Sequence, residues 1–159
     1  MNRIAKFDKI SMNQFTSTLS SLCEYDDIKL PQRATKGSAG YDFYSPFDFI
    51  LNPQETIKIP TGIRAKMNDG YVLLLFPRSS LGFKYRLQLD NSVGVIDSDY
   101  YYSDNEGHIY IKITNDSKDG KILSVNKGEA FAQGIFLQFA ITVDDESDNI
   151  RNGGFGSTN

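Results

Sequence analysis

Asn91–Tyr100 reads NSVGVIDSDY, an apolar run that ends abruptly in two carboxylates and an aromatic ring. The β-branched residues on either side of Gly94 predict a short strand or hairpin arm whose backbone comes close to another group. Burying a carboxylate beside such a run is costly unless it is paired or hydrogen-bonded, so Asp97 is predicted to face a polar cleft. A solvated turn at residues 97–99 is the alternative that composition alone leaves open.

From Leu30 onward, short apolar or alternating segments are separated by glycine and proline. Such regular turn signals are typical of an all-β antiparallel sandwich or barrel. Tyr71–Phe76 is apolar throughout and is predicted to be buried on both faces. Gln133–Ala140 is predicted to be the last strand, with Gly134 at a bulge or a close backbone approach. Three further segments alternate apolar with polar side chains and predict strands with one solvated face: residues 57–59, 63–67 and 109–113.

One short N-terminal helix is predicted within residues 13–25, where four apolar side chains recur at helical spacing. Asn13 or Ser11 could cap its N-terminus. Its apolar face is expected to pack on the domain rather than to bind a partner. The apolar positions are Phe15, Leu19, Leu22 and Cys23.

Composition limits the functions that this chain could have. With 159 residues and 40% hydrophobic content, one globular domain is the default. The net charge of -3 argues against a nucleic-acid binder. Because the chain has one cysteine and one histidine, a subunit cannot form a zinc site, and any metal would be a hard ion such as Mg²⁺ bound through oxygens. The lack of a disulfide pair and of a long apolar run predicts a cytoplasmic protein with no membrane partner.

After Val143 the core pattern stops, and an acidic spacer leads into the tail RNGGFGSTN, residues 151–159. This tail cannot bury enough apolar surface to fold by itself. We therefore expect a single domain over residues 1–159 whose C-terminal arm, from about residue 144, is mobile and flexible. Its glycine N–H groups, hydroxyls and arginine are suited to wrapping a phosphate chain, and Phe155 offers a face for stacking. A frayed terminus is the alternative.

Five segments, in order along the chain, resemble the five motifs of the trimeric deoxyuridine triphosphatases (dUTPases). Each segment alone is weak evidence, but five such segments in the same order are specific to this family. The resemblance implies a jelly-roll-like fold and hydrolysis of dUTP to dUMP and pyrophosphate, which limits uracil incorporation into DNA and supplies dUMP for thymidylate synthesis. It also implies a homotrimer whose active sites are shared between chains. The segments are Ala39–Phe43, Pro77–Gly82, Gly94–Tyr100 with Asn91 before it, Gly128–Gln133 and Arg151–Asn159.

The resemblance implies that Asp97 orients the water that attacks the α-phosphorus and accepts its proton. Because a free carboxylate is a poor base for water, this step would supply a factor of only about 10²–10⁴, and positioning and charge stabilisation must supply the rest. By the same resemblance, Asp42 grips the Mg²⁺ cofactor indirectly, through water. The phosphate donors that it implies are Arg78, Ser79, Ser80 and Gln133, with Arg151, Gly156, Ser157 and Thr158 in the closing tail.

Selectivity for uracil would come from the same hairpin. Cytosine presents a donor where uracil has an acceptor, and the resulting unpaired groups can be worth a factor of about 10⁴. A tight hairpin would also clash with the 5-methyl group of thymine. The resemblance implies that Tyr100 packs under the deoxyribose, leaving no room for a 2′-hydroxyl, and that Phe155 closes over the base. The residues that it implies for the uracil site are Asn91, Gly94 and Ile96.

The chain departs from the family pattern in four places. Residues 101–107 form a longer loop where the family often has Arg-Gly, so the local ion pairing could differ. Ala130 stands where motif four usually has a basic residue. The tail spacing after Arg151 is shorter than usual, and the segment before Leu30 is an addition without an assigned role.

Two alternatives to a dUTPase are open. The related dCTP deaminases share the fold but need a catalytic glutamate in place of the arrangement around Asp97, and no glutamate stands at a matching position. A non-catalytic or moonlighting member could bind a regulatory protein through the helix at Phe15 or the 101–107 loop. Every expected catalytic position is filled, which a purely structural relative would not need.

Overall fold

Antiparallel strands dominate this computed structural model, which describes residues 2–151 and residue 153. Two short α-helices and two 3-10 helices lie between the strands. No helix in the described ranges is long and apolar enough to cross a membrane. The strands are Ala5–Lys9 (β1), Gln32–Arg33 (β2), Tyr41–Tyr44 (β3), Phe49–Leu51 (β4), Thr56–Pro60 (β5), Ile63–Met67 (β6), Tyr71–Pro77 (β7), Leu87–Leu89 (β8), Gly94–Ile96 (β9), Tyr110–Asn115 (β10), Leu123–Val125 (β11) and Ala130–Gln138 (β12). The helices are Met12–Thr18 (α1) and Ser79–Tyr85 (α2), and the 3-10 helices are Tyr25–Asp27 and Ser98–Tyr102.

The strands are arranged in one five-stranded sheet and three smaller sheets. The large sheet has the order β2-β3-β12-β7-β9, and the others are β5-β10-β8, β1-β6 and β4-β11. Every pairing in the described residues is antiparallel. The predicted all-β antiparallel class is therefore confirmed.

In two of the smaller sheets, the alternating apolar residues face the core as predicted. Ile63, Ala65 and Met67 of β6 are buried, while Lys66 between them is exposed. In β10 and the residue before it, the isoleucines at positions 109, 111 and 113 are all at most 1% exposed. These alternating strands therefore close the core with one face and leave the other toward solvent.

The prediction that β7 is buried on both faces is wrong for the single chain. Leu73 and Leu75 are buried, but Val72, Leu74 and Phe76 on the opposite face are only half-buried. β7 lies between β12 and β9, which pair with its backbone on both sides, and the side chains on its outer face keep part of their surface exposed. An apolar strand face therefore remains open on this side of the sheet.

Gly134 in β12 marks a close approach, as predicted. A Cβ atom there would lie 2.8 Å from Cδ1 of Leu73 and 3.0 Å from the Phe43 ring. The bulge is found elsewhere, where the register with β3 shifts between Ala130 and Ala132. The strand also begins three residues earlier than predicted, at Ala130.

The N-terminal helix α1 is shorter than the predicted span. Ser11 caps it, because its hydroxyl accepts a hydrogen bond from the Gln14 N–H at 3.2 Å. Phe15 and Leu19 are buried, so the helix packs on the domain as predicted. Leu22 lies beyond the helix end and is exposed. Hydroxyl groups of the Ser and Thr residues bond to backbone carbonyls along this segment, which weakens helix formation and accounts for its early end.

His108 is fully buried beneath the loop that follows the 3-10 helix Ser98–Tyr102. Its Nε2 accepts a hydrogen bond from the Gly62 N–H at 2.9 Å, and its Nδ1 has no hydrogen-bond partner in the described part of the chain. Burial lowers the pKa of His108 to about 4, although the Glu106 carboxylate acts in the opposite direction. The folded protein therefore holds a neutral imidazole at this position at neutral pH.

We expect this imidazole to make folding stability depend on pH. An unfolded histidine takes up a proton near pH 6.5, whereas the folded one resists protonation until about pH 4. The contribution of the neutral His108 to the free energy of unfolding is therefore complete above about pH 6.5. As the pH falls toward 4, the free energy of unfolding decreases by on the order of 3 kcal/mol. Urea unfolding at pH values from 4 to 7 should show a steeper dependence for the native chain than for His108→Gln. Parallel curves for the two proteins would contradict this expectation.

Candidate active site

The first group of predicted site residues meets at the Pro77 end of the large sheet. Asp42 of β3 lies opposite Gln133 of β12, which lies opposite Phe76 of β7. The Gln133 amide donates a hydrogen bond to the Pro77 carbonyl at 3.1 Å. Nε of Arg78 lies 3.2 Å from a carboxylate oxygen of Asp42. Motifs one, two and four therefore meet at one end of the neighbouring strands β3, β12 and β7.

The local backbone explains why these side chains can gather. A Cβ at Gly40 would lie 2.6 Å from the Gln133 side-chain oxygen, so glycine there leaves room for the amide. Arg78 is extended and precedes α2, which begins with the exposed Ser79 and Ser80. A groove of about 390 Å³ runs past Arg78 and Ser79 to the exposed ring of Phe83. We call Asp42, Arg78, Ser79, Ser80 and Gln133 the phosphate cluster.

The second group lies on the predicted hairpin arm, which in the structure consists of β8, β9 and the turn between them. In the described residues β8 pairs with β10 and β9 pairs with β7. Asn91, Gly94 and Ile96 line a cavity of about 490 Å³ together with side chains of β5 and β10. Ser92 turns the hairpin with a positive φ of 63°, and the Val93 N–H donates to the Asn91 carbonyl at 2.7 Å. This cavity, which we call the hairpin pocket, contains all three residues implied for the uracil site.

Gly94 fixes the depth of the hairpin pocket. A Cβ at this position would lie 2.9 Å from Cβ of Leu75, closer than real side chains approach. Only glycine therefore lets the β9 backbone lie directly against β7. The close approach predicted from the sequence at this glycine is present.

Asp97 follows β9 and stands at the N-terminus of the 3-10 helix Ser98–Tyr102. Its carboxylate is about half-exposed and forms an ion pair with the Arg151 guanidinium. Nε of the same arginine donates to a carboxylate oxygen of Asp99 at 2.9 Å. The Arg151 side chain is only 16% exposed, and its guanidinium carbon lies 5.9 Å from the centre of the Tyr100 ring. The tail thus returns to the acidic end of the hairpin.

Tyr100 is buried and held by the loop after it. Its hydroxyl donates to the His108 carbonyl at 2.7 Å and accepts from the Asn105 amide at 2.9 Å. Burial raises the pKa of Tyr100, with the Asn105 hydrogen bond acting in the opposite direction. The phenol therefore stays protonated at neutral pH and presents its ring, rather than a charge, beside Arg151.

Asp97 and the phosphate cluster lie toward opposite ends of β7, whereas Gly94 pairs with Leu75, two residues from Pro77. Ile96 pairs with Leu73, and Arg78 is five residues further along the strand. At about 3.3 Å per residue, the two positions are about 16 Å apart along the strand direction. Within one chain, the phosphate cluster and Asp97 therefore do not face the same small volume.

Most predicted site residues fall into these two groups, but four lie outside the described residues: Phe155, Gly156, Ser157 and Thr158. The sequence reasoning gave no role to Asp99, which shares Arg151 with Asp97. Two features of the sequence could have indicated a role for Asp99: two carboxylates flank Ser98, and the tail carries a single arginine. The 3-10 helix places the Asp97 and Asp99 carboxylates within reach of the same guanidinium, which the order of residues in the motif does not show.

Mg²⁺ binds in proteins through oxygen ligands such as the Asp42 carboxylate. Among the described residues no three Asp, Glu, His or Cys side chains come together as a metal site. Asp42 is the only carboxylate of the phosphate cluster, and it already contacts Arg78. One carboxylate fits a Mg²⁺ ion that is carried by substrate phosphates and held through water, since Mg²⁺ keeps several waters and commonly uses few protein ligands.

Comparison with known proteins gives a consistent family. The dUTPase family model matches residues 26–159. The chain is 43% identical over 134 residues to the deoxyuridine 5'-triphosphate nucleotidohydrolase of Lactococcus lactis subsp. lactis (strain IL1403), covering 82% of this chain and 88% of the relative.

Solved structures agree with this assignment. The dUTPase from Streptococcus mutans has a TM-score of 0.67 and 35% identity, over 86% of this chain and 97% of the other. A mutant dUTPase from phage phi11 of S. aureus, whose structure concerns the coordination of a structural Mg(II) ion, has the same TM-score at 22% identity, over 92% and 98% of the two chains. That likeness supports the fold alone. With motifs one to four at the two groups described above and the family model covering most of the chain, this protein belongs to the dUTPase family.

Proposed function

We propose that this chain hydrolyses dUTP to dUMP and pyrophosphate in the cytoplasm, limiting uracil incorporation into DNA and supplying dUMP for thymidylate synthesis. The observation that carries the proposal is the position of Asp97. This half-exposed carboxylate directly follows Ile96, which lines the hairpin pocket, and it pairs with a tail arginine that lies over the Tyr100 ring. A nucleotide whose base enters the pocket would place its sugar against Tyr100 and its first phosphate near Asp97.

In the proposed reaction, Asp97 orients a water molecule for attack on the α-phosphorus and accepts its proton. Arg151 would leave the carboxylate and turn to the phosphate oxygens, where its planar guanidinium can form two parallel hydrogen bonds. Such an exchange frees Asp97 for water at the time when the arginine neutralises the substrate. The step therefore needs no movement of the hairpin itself.

The phosphate cluster would hold the rest of the triphosphate. Arg78 and the hydroxyls of Ser79 and Ser80 supply donors, and the Gln133 amide lies next to them. Asp42 would hold a Mg²⁺ ion through water, and that ion would neutralise phosphate oxygens and favour an in-line arrangement. We assign to the tail residues Phe155, Gly156, Ser157 and Thr158 the closing role that the resemblance implies.

Selectivity would follow from the fixed depth of the hairpin pocket. Because Gly94 packs on Leu75, the hairpin cannot retreat to admit a 5-methyl group. Backbone groups of the hairpin and the Asn91 side chain would pair with the uracil edge, and cytosine would leave them unpaired. The buried and doubly hydrogen-bonded Tyr100 would leave no space for a ribose 2′-hydroxyl.

The direct test measures pyrophosphate release with dUTP, dTTP, dCTP and UTP side by side in Mg²⁺. We expect kcat/KM for dUTP to exceed that for each of the others by at least about 10³, since an unpaired or clashing group in a hydrogen-bonded site costs that much or more. Equal cleavage of all four nucleotides, or intact dUTP, would contradict the proposal. Ammonia release from dCTP would instead identify a deaminase.

We also propose that the protein acts as a homotrimer with shared sites. The separation of about 16 Å between the phosphate cluster and the Asp97 end of β7 supports assembly of each site from more than one chain. The open face of the large sheet carries the half-buried Leu74 and the exposed Val95 and Leu137, an apolar surface typical of an interface. The segment after β12 adds four exposed apolar side chains: Phe139, Ile141, Val143 and Ile150.

A charge on this face should disrupt the trimer. We expect the native protein to have about three times the chain mass of 17.9 kDa in size-exclusion chromatography with light scattering. Leu137→Glu should shift the protein toward the monomer and lower dUTP hydrolysis in parallel, because a glutamate would be buried at the interface. The control is Ile50→Glu, at an isoleucine on the separate β4-β11 sheet that is 64% exposed, compared with 46% for Leu137. A trimer that survives Leu137→Glu unchanged would contradict the assignment of this face.

A further inference from the structure

Two of the segments that depart from the family pattern, the one before Leu30 and the loop at residues 101–107, contact each other. The N-terminal strand β1 pairs with β6, and Asp8 lies opposite Arg64 in that pairing. Both residues reach Tyr101, the first residue of the longer loop and part of the 3-10 helix that follows Asp97. The additional N-terminus and the altered loop therefore form one structural unit.

Tyr101 is held at three points. Its hydroxyl donates to the Asp8 carboxylate at 2.8 Å. The Arg64 guanidinium lies over its ring at 3.6 Å from the centroid and donates to its backbone carbonyl at 2.6 Å. A stacked cation and a hydrogen bond to a charged group are both stronger than neutral contacts of the same kind.

The loop after Tyr101 is attached to the same N-terminal segment. The Glu106 carboxylate accepts a hydrogen bond from the Ser11 backbone N–H at 3.1 Å. Gly107 has a φ of 73°, and a Cβ there would lie 2.6 Å from the Tyr101 Cα and 2.7 Å from the Tyr100 carbonyl oxygen. The loop is therefore packed directly on the 3-10 helix.

We propose that Asp8, Arg64 and Tyr101 are positioning residues for Asp97, a role that rests on the proposed hydrolysis of dUTP. They clamp the 3-10 helix Ser98–Tyr102, whose first turn is closed by the Tyr100 N–H donating to the Asp97 carbonyl. Clamping this helix fixes the backbone at Asp97 and the ring of Tyr100 together. The carboxylate is thereby held where a water molecule must be aimed at phosphorus, and small displacements there are costly.

The position of the clamp predicts an effect on turnover rather than on binding. The hairpin pocket is lined by residues of β8, β9, their turn, β5, β7 and β10, and none of the three positioning residues lines it. Loosening the clamp would therefore leave contacts to the base intact. It would reduce the fraction of time in which the Asp97 carboxylate is aligned with the attacking water molecule.

The test compares Tyr101→Phe, which removes the hydroxyl and keeps the ring, with Asp8→Ala, which removes the acceptor, and with the double variant. For each single variant we expect kcat with dUTP to fall about tenfold, the effect of losing a hydrogen bond to a charged group, with KM within about twofold. The double variant should lose no more than either single variant, because both remove the same bond. Hydrogen exchange of the Tyr100 and Ser103 amides, measured without nucleotide, should become about tenfold faster.

Two matched variants separate positioning from a general surface effect. Tyr102→Phe removes the hydroxyl of the neighbouring, 68% exposed tyrosine, and Lys6→Met removes the other partner of Asp8. Both should keep kcat within about twofold. The proposal is overturned by unchanged kcat or unchanged amide exchange in Tyr101→Phe, by a loss that lies in KM, or by an equal loss in the control variants. A native chain that leaves dUTP intact would refute the proposed function instead, and the exchange measurement would still decide whether the clamp exists.

Discussion

Replacing Asp97 with asparagine should lower kcat for dUTP by at least about 10² and leave nucleotide affinity within a few fold. The amide keeps the size of the carboxylate but cannot accept the proton of water, so the general-base contribution is lost. Contacts to the base remain, because the hairpin pocket depends on the backbone at Gly94 and on Asn91. Stopped-flow pyrophosphate detection gives kcat, and calorimetry with a non-hydrolysable dUTP analogue gives affinity.

The matched control for this variant is Asp104→Asn. Asp104 is exposed and lies in the same acidic region. Its replacement by asparagine removes the same charge as Asp97→Asn does. Its kcat should stay within about twofold of the native value. If Asp97→Asn and Asp104→Asn had similar activities, the loss of one negative charge near the site, rather than a missing base, would be the cause, and Asp97 would have no catalytic role.

Deleting residues 151–159 should reduce turnover by at least about 10² while the thermal unfolding midpoint changes little. Arg151 makes its contacts with the half-exposed Asp97 and the exposed Asp99, and neither belongs to the core. Surface ion pairs of this kind contribute little to stability, whereas an arginine that neutralises a phosphate contributes strongly to the rate. A lowered midpoint with unchanged turnover would contradict this expectation.

Mixing two inactive variants shows which chain supplies the tail to a given site. A chain with Asp97→Asn keeps a working tail, and a chain without residues 151–159 keeps a working Asp97. If the tail serves another subunit, trimers reassembled from both should regain a substantial part of the native activity. If the tail serves its own chain, in the arrangement in which Arg151 pairs with Asp97 of the same chain, the mixed trimers should stay inactive.

The fold class could be predicted because alternation and turn residues act locally. The buried isoleucines of β10 and the alternating face of β6 follow directly from the period of 2. Strand β1 was not predicted, since five residues with a weak pattern become a strand only by pairing with β6. The burial of β7 was overestimated because apolar sequence does not distinguish a core face from a face that another chain could cover.

The site could be predicted as a set of residues but not as a geometry. The sequence motifs single out Asp42, Arg78 and Gln133, and the antiparallel register brings these three together. The separation of this cluster from Asp97 follows from strand pairing, which is not visible in the motif order. The clamp on Tyr101 depends on a contact between residues 93 positions apart, which local patterns cannot indicate.

The guanidinium of Arg151 is shared between two carboxylates, and this has a consequence for product release. In the proposed mechanism a nucleotide would recruit this arginine only by competing with Asp97 and Asp99, so its apparent affinity would be reduced by the free energy of that pairing. A triphosphate carries enough negative charge to compete well, whereas a monophosphate competes poorly. Once pyrophosphate departs, the arginine would return to its acidic partners, and dUMP would be left with little to retain it.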